Sequence, residues 1–370
     1  MLDSALDSLI RTVREAAAQR TPLRIHGGGT KAFLTRTATG TPLDLRPLAG
    51  IVSHEPTELV VTALAGTPLA ELEAALAAHA QVLPFEPPRF GTGGTVGGMV
   101  AAGLSGPARA SAGAVRDYVL GVQMLNGRGE LLRYGGQVMK NVAGYDVSRL
   151  MAGSWGTLGV LVEVSLKVLP RAPAEATLRF ELGQAEALEQ LHRWGAQPLP
   201  LNASLWREEA GRGVLYLRLR GAVAAVESAG RSLGGERLAE DAAQALWVAL
   251  RDQADPFFTD RPAGLALWRL SLPQTAPVLP PVPGQHGAAW VEWQGAQRWV
   301  LAPPAAAPAL AAQAREVGGS ATLFRAEPDH SALGYGPLDV QDPVLGTLNR
   351  RLRAEFDPHG ILNPGLVHTA

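Results

Sequence analysis

The spacing of apolar residues divides the first 86 residues into helices and short strands. Apolar positions three to four residues apart over residues 3–19 predict an amphipathic helix, and residues 22–27 predict a short buried strand. The segment 43–66 holds two further strand candidates. Residues 67–80 predict a second helix, with Thr67 as its N-cap and Pro68 at its first position.

Residues 87–121 break this alternation. Gly, Ala and Ser are so dense there that we expect neither an ordinary packed helix nor a sheet strand. After this stretch, the turn at residues 126–129 predicts a β-hairpin. Residues 142–170 then predict a short helix, a glycine turn and a long strand that ends at Pro170.

Beyond Pro170 short strands alternate with helices. The predicted strands are 176–182, 201–206, 213–221 and 265–272, and the predicted helices lie near 184–194, 222–233 and 240–252. They are followed by a Pro-rich connector (272–285), a hairpin that turns at Gly295, an Ala-rich helix, a strand at 321–326 and a last helix that Asp357 and Pro358 end. This order predicts a small α+β sandwich.

The composition is that of an ordinary globular protein and excludes several classes of partner. The 370 residues have length for two domains, or for one domain with an insertion; 46% are apolar and 18% charged. The chain has 33 basic and 34 acidic residues. It contains no dense basic run that would indicate binding to nucleic acid or to an anionic membrane. The N-terminus lacks the apolar core of a signal peptide, and no apolar run is long enough to span a bilayer. We therefore expect a cytoplasmic protein.

Cysteine and histidine limit the possible chemistry. The chain has no cysteine, which rules out disulfides, a thiolate nucleophile and an iron–sulfur cluster held by this chain alone. Its eight histidines include no pair at the close spacing of common zinc motifs, so we expect no metal site.

Three consecutive glycines in "IHGGGTK", residues 25–31, require a physical reason, because each glycine costs conformational entropy. The spacing fits neither the G-x-G-x-x-G of a Rossmann dinucleotide site nor a P-loop. Two readings stay open: a bare backbone that cradles a phosphate beside Thr30 and Lys31, or a structural turn.

Two further glycine-rich turns favour the ligand reading. The stretch "GTGGTVGGMVAAGLSG", residues 91–106, is small and apolar where loops are normally polar, and "GSWGTLGVL", residues 153–161, precedes a strand. Backbone packed against a large flat ligand explains this composition, and so does backbone packed on backbone.

These motifs resemble a known family. Together with "KNVAGYDVSRLMAGSWGTLGVL" (140–161) and the tail "FDPHGILNPG" (356–365), they are similar to the vanillyl-alcohol-oxidase (PCMH-type) flavoproteins, and most of all to the FAD-binding subunits of bacterial glycolate oxidase. The resemblance implies an α+β protein: a PCMH-type FAD-binding domain of two α/β subdomains (1–171), a smaller α+β cap or partner-binding domain (172–340), and a C-terminal helix and tail (341–370) that return to the flavin domain.

The same resemblance implies a set of FAD contacts. The first glycine turn matches the pyrophosphate loop, the second continues along the diphosphate and ribityl chain, the third lies at the adenine end, and the tail approaches the isoalloxazine. The implied cofactor-binding residues are His26, Gly27, Gly28, Gly29, Thr30, Lys31, Thr92, Gly94, Thr95, Gly97, Gly98, Ala102, Ser105, Arg116, Thr157, Gly159, Val160, Leu161 and Asn363. For Arg116, an ion pair with Asp117 is the alternative to a flavin contact.

Two departures from the family pattern refine this expectation. Members with covalently bound flavin have a histidine just after the glycines, where this chain has Thr30 and Lys31, so we expect noncovalent FAD. His26 precedes the glycines and is interpreted as a strand-end histidine. Trp155 replaces the glutamate that the family usually has in its third turn.

No catalytic base is identified. Oxidation of a 2-hydroxy acid needs a proton acceptor, a hydride acceptor and a cation for the carboxylate. The second half of the chain offers five scattered histidines, His192, His286, His330, His359 and His368, of which His330 is the better candidate, although a surface-loop residue is the simpler interpretation. Arg218, Arg220 and Arg269 alternate with apolar residues and are expected on the solvated face of a sheet. The expected core or interface anchors are Trp206, Trp247, Trp268, Trp290, Trp293 and Trp299.

The resemblance also implies partners: a larger flavin subunit and an iron–sulfur subunit, which together with this chain oxidise glycolate to glyoxylate. Attachment to the inner face of the membrane would come through that complex. Three hypotheses remain: an FAD-binding subunit of a glycolate oxidase, a non-catalytic flavin-holding scaffold, and a stand-alone FAD-dependent 2-hydroxy-acid dehydrogenase.

Overall fold

The structure is a computed structural model that describes residues 2–34, 39–136, 146–326, 333–340 and 342–366. The chain divides into two units. The first unit consists of Met1–Ser105, Ala114–Arg171 and Leu338–Ala370, and the second of Gly106–Gly113 and Ala172–Pro337. A short piece of the glycine-rich stretch therefore belongs to the second unit.

The first unit mixes helices with short strands. Its helices are α1 (Leu2–Gln19), α2 (Leu69–Ala78), α3 (Val96–Ala102), α5 (Val147–Leu150) and α11 (Pro343–Phe356). Its strands are β1 (Leu23–His26), β2 (Thr41–Asp44), β3 (Ile51–Glu55), β4 (Val60–Leu64), β5 (Gln81–Val82), β6 (Val119–Leu125), β7 (Leu131–Gly135), β8 (Val160–Lys167) and β9 (Leu169–Pro170). The predicted first helix, first strand, hairpin and long strand before Pro170 are confirmed.

An antiparallel sheet in the order β3-β4-β8-β6-β7 forms the centre of the first unit. Its strand β8 is buried on both faces, which explains why its sequence is apolar almost throughout. Helices α2 and α3 cover one face with Leu72, Leu76 and Val100, all fully buried. The sheet therefore fixes the position of α3 and of the glycine-rich turn before it.

A second apolar cluster joins the two ends of the chain. Val13 of α1 packs with Leu23 of β1 and Leu362 of the tail. Strand β1 pairs with β2 in parallel, and Leu23 forms a further parallel bridge with Leu362. The C-terminal tail thus lies beside the strand that leads into the first glycine turn.

Two local predictions for this unit are wrong. The glycine-rich stretch does contain a packed helix, α3, because the Thr95 side chain caps it and Gly97 lets its backbone approach Ala65. Helix α2 starts at Leu69 with Pro68 as its N-cap. The Thr67 hydroxyl, predicted as that cap, instead donates to the carbonyl of Leu64.

The second unit is built on one large antiparallel sheet. Its helices are α4 (Arg109–Ala112), α6 (Gln184–Gly195), α7 (Val223–Leu233), α8 (Glu240–Asp252), α9 (Pro256–Thr259) and α10 (Ala307–Glu316). Its strands are β10 (Ala174–Glu181), β11 (Leu201–Glu209), β12 (Arg212–Gly221), β13 (Glu236–Arg237), β14 (Ala266–Ser271), β15 (His286–Glu292), β16 (Gln297–Ala302) and β17 (Ser320–Arg325). They lie in the order β13-β10-β12-β11-β15-β16-β14-β17, and together with the first unit they confirm the predicted α+β class.

The arginines predicted on a solvated sheet face are largely covered. Arg218 is buried, lies 4.8 Å from the ring of Trp247, and its Nε donates to Asn202. Burial lowers the pKa of Arg269 to about 10, with nearby Arg109 as a lesser cause. Arg220, paired with Glu175 at 2.6 Å, and Arg269 keep partial exposure as expected. The prediction failed because α6 and α7 cover one face of the sheet and α8 packs on the other.

The six tryptophans predicted as anchors, Trp206, Trp247, Trp268, Trp290, Trp293 and Trp299, are all buried. The hairpin predicted to turn at Gly295 and the helix predicted to end at Asp357 are also confirmed. None of the helices in the described parts of the chain combines the length and the apolar character needed to cross a membrane.

Candidate cofactor-binding site

A cavity of about 230 Å³ lies in the first unit, where the glycine-rich turns meet. Fourteen of the residues predicted to bind the cofactor line it: His26, Gly27, Gly28, Gly29, Thr30, Lys31, Gly94, Thr95, Gly97, Gly98, Ala102, Gly159, Leu161 and Asn363. The fold thus brings residues from the three turns and the tail, separated by hundreds of positions in sequence, to one concave surface.

The three glycines that follow β1 are required for different reasons. A Cβ on Gly28 would lie 1.5 Å from the carbonyl oxygen of Gly93, and one on Gly27 would lie 2.4 Å from Oγ1 of Thr95. Gly29 has open space around it but a φ of +70°, a conformation that L side chains rarely adopt. The first two glycines therefore allow the first turn to pack against the second, and the third allows the chain to turn.

Other glycines leave room for a ligand. A Cβ on Gly94 would meet nothing closer than 3.8 Å, and one on Gly98 would meet only Oγ1 of Thr95, at 3.1 Å. Both residues line the cavity. A larger side chain at Gly94 would consequently occupy the cavity rather than strike the backbone.

The hydrogen-bond donors of the first turn are available to a ligand. Among the described residues, no hydrogen bond of the chain uses the amides of Gly27, Gly28, Gly29 or Thr30. The amides at the start of α3 are used differently: those of Val96, Gly97 and Gly98 donate to Thr67, Ala65 and Thr95. An anion would therefore find its backbone donors in the first turn and not at the helix.

The charge of the lining suits an anion as well. Lys31 is 8% exposed, and its Nζ lies 3.5 Å from Oγ1 of Thr30 and 5.8 Å from the centre of the Phe90 ring. Arg24 is the other lining cation, and the lining contains no acidic side chain of the described residues. Unused amides and a buried cation are the donor set that a diphosphate requires.

The C-terminal tail closes the cavity through Asn363. Its Oδ1 accepts from the amide of Ile25 at 2.6 Å, and its Nδ2 donates to the carbonyl of Trp155 at 2.8 Å. Asn363 and Trp155 both have a positive φ, of 46° and 52°. The Asn363 side chain therefore fastens the third turn to β1, so its polar groups serve the protein itself.

Five predicted residues do not line the cavity. Thr92 is exposed, Thr157 donates to the carbonyl of Ser154, and Val160 is buried in the apolar cluster with α1. Ser105 accepts from the amide of Val115, and the exposed Arg116 lies 4.0 Å from Asp117. Cofactor contact by these five residues stays a prediction.

The sequence reasoning missed several lining residues. Trp155 and Gly156 belong to the third turn, and Ala65 belongs to the segment that follows β4. The sequence marks Trp155 only as a departure from the family pattern. Its position inside a matched motif also indicates a place in the cavity lining. Ala65 carries no such signal, because it reaches the cavity only through the packing of α3.

The described residues supply no catalytic histidine cluster. His26 ends β1, as predicted, with its Nδ1 3.1 Å from the carbonyl oxygen of Gly27. His359 is an exposed turn residue, and His330 and His368 lie outside the described residues. Within the described ranges no group of three or more His, Asp or Glu side chains is placed to hold a metal ion.

Comparison with known proteins agrees with this geometry. Residues 4–135 match a family model described as an FAD binding domain. The chain is 45% identical over 361 residues to "Glycolate oxidase subunit GlcE" of Escherichia coli (strain K12), which covers 98% of this chain and 97% of that protein.

Two more distant similarities cover different shares of this chain. "Glycolate oxidase subunit GlcD" of Bacillus subtilis (strain 168) is 29% identical over 46% of this chain and 37% of its own length. A solved alkyldihydroxyacetonephosphate synthase superposes with a TM-score of 0.65 at 16% identity, over 97% of this chain and 74% of that one. The synthase shows the shared fold alone.

Proposed function

The chain belongs to the family of the glycolate oxidase subunit GlcE, its cofactor is FAD, and we propose that it is the FAD-binding subunit of a complex that oxidises glycolate to glyoxylate. The observation that carries the proposal is the cavity between the glycine turns, which combines unused backbone amides, a buried lysine and glycines that face open space. These features together fit a diphosphate that joins two planar ring systems.

In this proposal the amides of Gly27–Thr30 and the ammonium group of Lys31 hold the FAD diphosphate. Gly94, Thr95, Gly97, Gly98 and Ala102 let the cofactor lie close to the backbone of the second turn, and Gly159 and Leu161 contribute from the third turn. When bound, FAD supplies the acceptor for the two electrons that leave the substrate. The domain roles follow: 1–171 binds FAD, 172–340 forms a cap or partner-binding domain, and 341–370 returns to the flavin domain.

Glycolate becomes glyoxylate by losing two electrons and two protons, and a proton acceptor is needed at the hydroxyl group. Among the described residues that line the cavity His26 is the one histidine, and its Nδ1 lies 3.1 Å from the carbonyl oxygen of Gly27 and 4.0 Å from Oδ1 of Asp44. His26 adjoins the first glycine turn, which we assign to the diphosphate and not to the ring that oxidises glycolate. We therefore place that base in a partner, a larger flavin subunit similar to GlcD. Because the chain has no cysteine, an iron–sulfur subunit would take the electrons onward. The complex would be cytoplasmic, and any attachment to the inner face of the membrane would come through it.

Comparing the isolated chain with the reassembled complex tests this proposal. We expect the isolated chain to contain FAD and to reduce an artificial acceptor with glycolate at background rate, and we expect activity to return when the two partner subunits are added. Full activity of the isolated chain would instead identify a stand-alone dehydrogenase. Full activity of a complex that contains a variant unable to hold FAD would identify a scaffold.

A further inference from the structure

Trp155 differs from every other tryptophan of this protein. Each of the other seven is used by the fold, through an indole N–H that donates to the protein or through a ring contact with a phenylalanine. They are Trp194, Trp206, Trp247, Trp268, Trp290, Trp293 and Trp299. In the described part of the chain, the side chain of Trp155 has neither kind of partner. Within the described residues, neither a hydrogen bond nor a ring contact therefore accounts for an indole at this position.

The backbone of Trp155 is held in an unfavourable conformation. Its φ is +52°, a region that a bulky side chain rarely adopts and that costs free energy. Two hydrogen bonds maintain it: the Trp155 amide donates to the carbonyl of Ala101 at 2.9 Å, and the Trp155 carbonyl accepts from Asn363 at 2.8 Å. These two hydrogen bonds thus offset the conformational cost and keep Trp155 at the cavity.

Trp155 lines the cavity together with the first glycine turn. Residues held in sparsely populated conformations cluster at ligand-binding sites, where neighbouring structure determines them. A half-buried indole without a hydrogen-bond or ring partner among the described residues offers an aromatic face and an N–H donor to a bound molecule. The cavity also holds the donors for a diphosphate, and in FAD, the proposed ligand, a diphosphate joins two planar ring systems.

We propose that Trp155 binds a planar heteroaromatic ring of FAD by stacking on its face. The proposal deepens the proposed function, because it rests on FAD as the ligand of this cavity. It adds an aromatic side-chain contact to the backbone amides and the ammonium group of Lys31 that the proposed function assigns to the cofactor. Adenine and isoalloxazine share the required chemistry, and the experiment separates them.

The test compares Trp155→Leu and Trp155→Phe with the unchanged chain in titrations of FAD-depleted protein. Base–aromatic stacking contributes enough that Trp155→Leu should weaken FAD binding about tenfold or more, whereas Trp155→Phe keeps a ring and should stay within about threefold. Trp194→Phe is the matched control, since Trp194 packs on Phe180 in the second unit, and it should leave FAD affinity unchanged.

Two further readouts keep the proposal testable even if a variant is less stable. Titration with ADP and with riboflavin identifies the ring, because only the ligand that contains it should lose affinity in Trp155→Leu. The quenching of tryptophan fluorescence by FAD should also fall in Trp155→Phe and not in Trp194→Phe.

The outcomes separate this proposal from the one on which it rests. If Trp155→Leu is folded and binds FAD, ADP and riboflavin as the unchanged chain does, Trp155 is no ring contact, and FAD binding itself still stands. If the unchanged chain fails to bind FAD, the assignment of the cavity fails together with this inference.

Discussion

At the scale of single residues, the glycines of the cavity fall into two groups. Gly28 of the first turn packs backbone against backbone, because a Cβ there would lie 1.5 Å from the carbonyl oxygen of Gly93. Gly94 instead faces space that a ligand can fill. Substitution of Gly28 therefore tests packing, whereas substitution of Gly94 tests the ligand.

We expect Gly94→Leu to remove FAD from the purified protein while the chain stays folded, because the added side chain enters the cavity. Gly183→Leu is the control: Gly183 precedes α6 in the second unit, and a Cβ there meets nothing within 4 Å. The measurement is the ratio of bound flavin to protein, with circular dichroism to check folding. Normal flavin content in Gly94→Leu would show that FAD does not bind in this cavity.

The buried ammonium group of Lys31 makes a second residue-scale prediction. A hydrogen bond to a charged group contributes about 1.5–3 kcal/mol, so Lys31→Met should weaken FAD binding roughly 10- to 100-fold. The loss should shrink for riboflavin, which lacks the diphosphate. Lys167→Met, on β8 and outside the cavity lining, is the matched control. Equal losses for FAD and riboflavin would contradict a role at the diphosphate.

Glu292 gives the second unit a predicted pH dependence. Burial raises the pKa of this carboxyl group from 4.5 to about 7, although Trp299 and Gln297 donate hydrogen bonds to it. The folded state therefore holds a proton that the unfolded state has released. As the pH rises from 4.5 through 7, the free energy of unfolding should fall, by on the order of 3 kcal/mol in total.

Urea denaturation of Glu292→Gln at several pH values checks this expectation. The amide keeps an acceptor for Trp299 and cannot ionise, so the decline in stability should be much smaller. Glu208→Gln, at an exposed position of the same unit, should decline like the unchanged chain. An identical pH profile for both variants would show that Glu292 does not titrate in this range.

At the scale of elements, the tail and the third turn depend on one amide side chain. Asn363 forms hydrogen bonds with Ile25 of β1 and with Trp155 of the turn. The Asp357 carboxylate accepts from the amides of Ile361 and Leu362 and so orders the tail just before Asn363. The C-terminal segment is thereby a structural part of the cavity wall.

Asn363→Ala should lower the free energy of unfolding by about 2–4 kcal/mol, because it leaves two partly buried backbone groups without partners and places alanine at a positive φ. Asn363→Gly loses the same two hydrogen bonds but tolerates a positive φ, so its loss should be smaller. Thermal unfolding of the FAD-free proteins measures both. Equal stability of all three chains would show that the tail does not support the turn.

The elements also show where reasoning from the sequence succeeds. The helix of residues 3–19 and the hairpin at Asn126 were predictable, since periodicity and turn residues act locally. Helix α3 was not, because its stability depends on the close approach of Gly97 to Ala65, a contact between distant segments. The burial of Arg218 was missed for the same reason: alternation along a strand does not reveal that both faces of the sheet are covered.

The candidate site was predictable to a similar extent. The glycine turns could be matched to a family motif by motif, and they converge on one cavity. The sequence could not separate glycines that pack on the backbone from glycines that face a ligand, because that difference lies in what stands opposite each Cα. For the same reason it gave no indication that the side chain of Asn363 is occupied by the protein.

At the scale of the whole molecule, the two units differ in what they contain. The cavity, its cation and its glycine turns all belong to the first unit. The second unit contributes a large sheet with tryptophans and arginines buried on it. This arrangement fits the proposal that the chain holds FAD and leaves substrate chemistry to a partner.

The visible absorption spectrum of the purified chain, followed by chromatography of the chromophore released on heating, tests the central claim most directly. We predict flavin absorption bands and the release of intact FAD, because Thr30 and Lys31 stand where the covalent members of the family have a histidine. A colourless protein that also takes up no added FAD would contradict this account, and the glycine turns would then serve the fold alone.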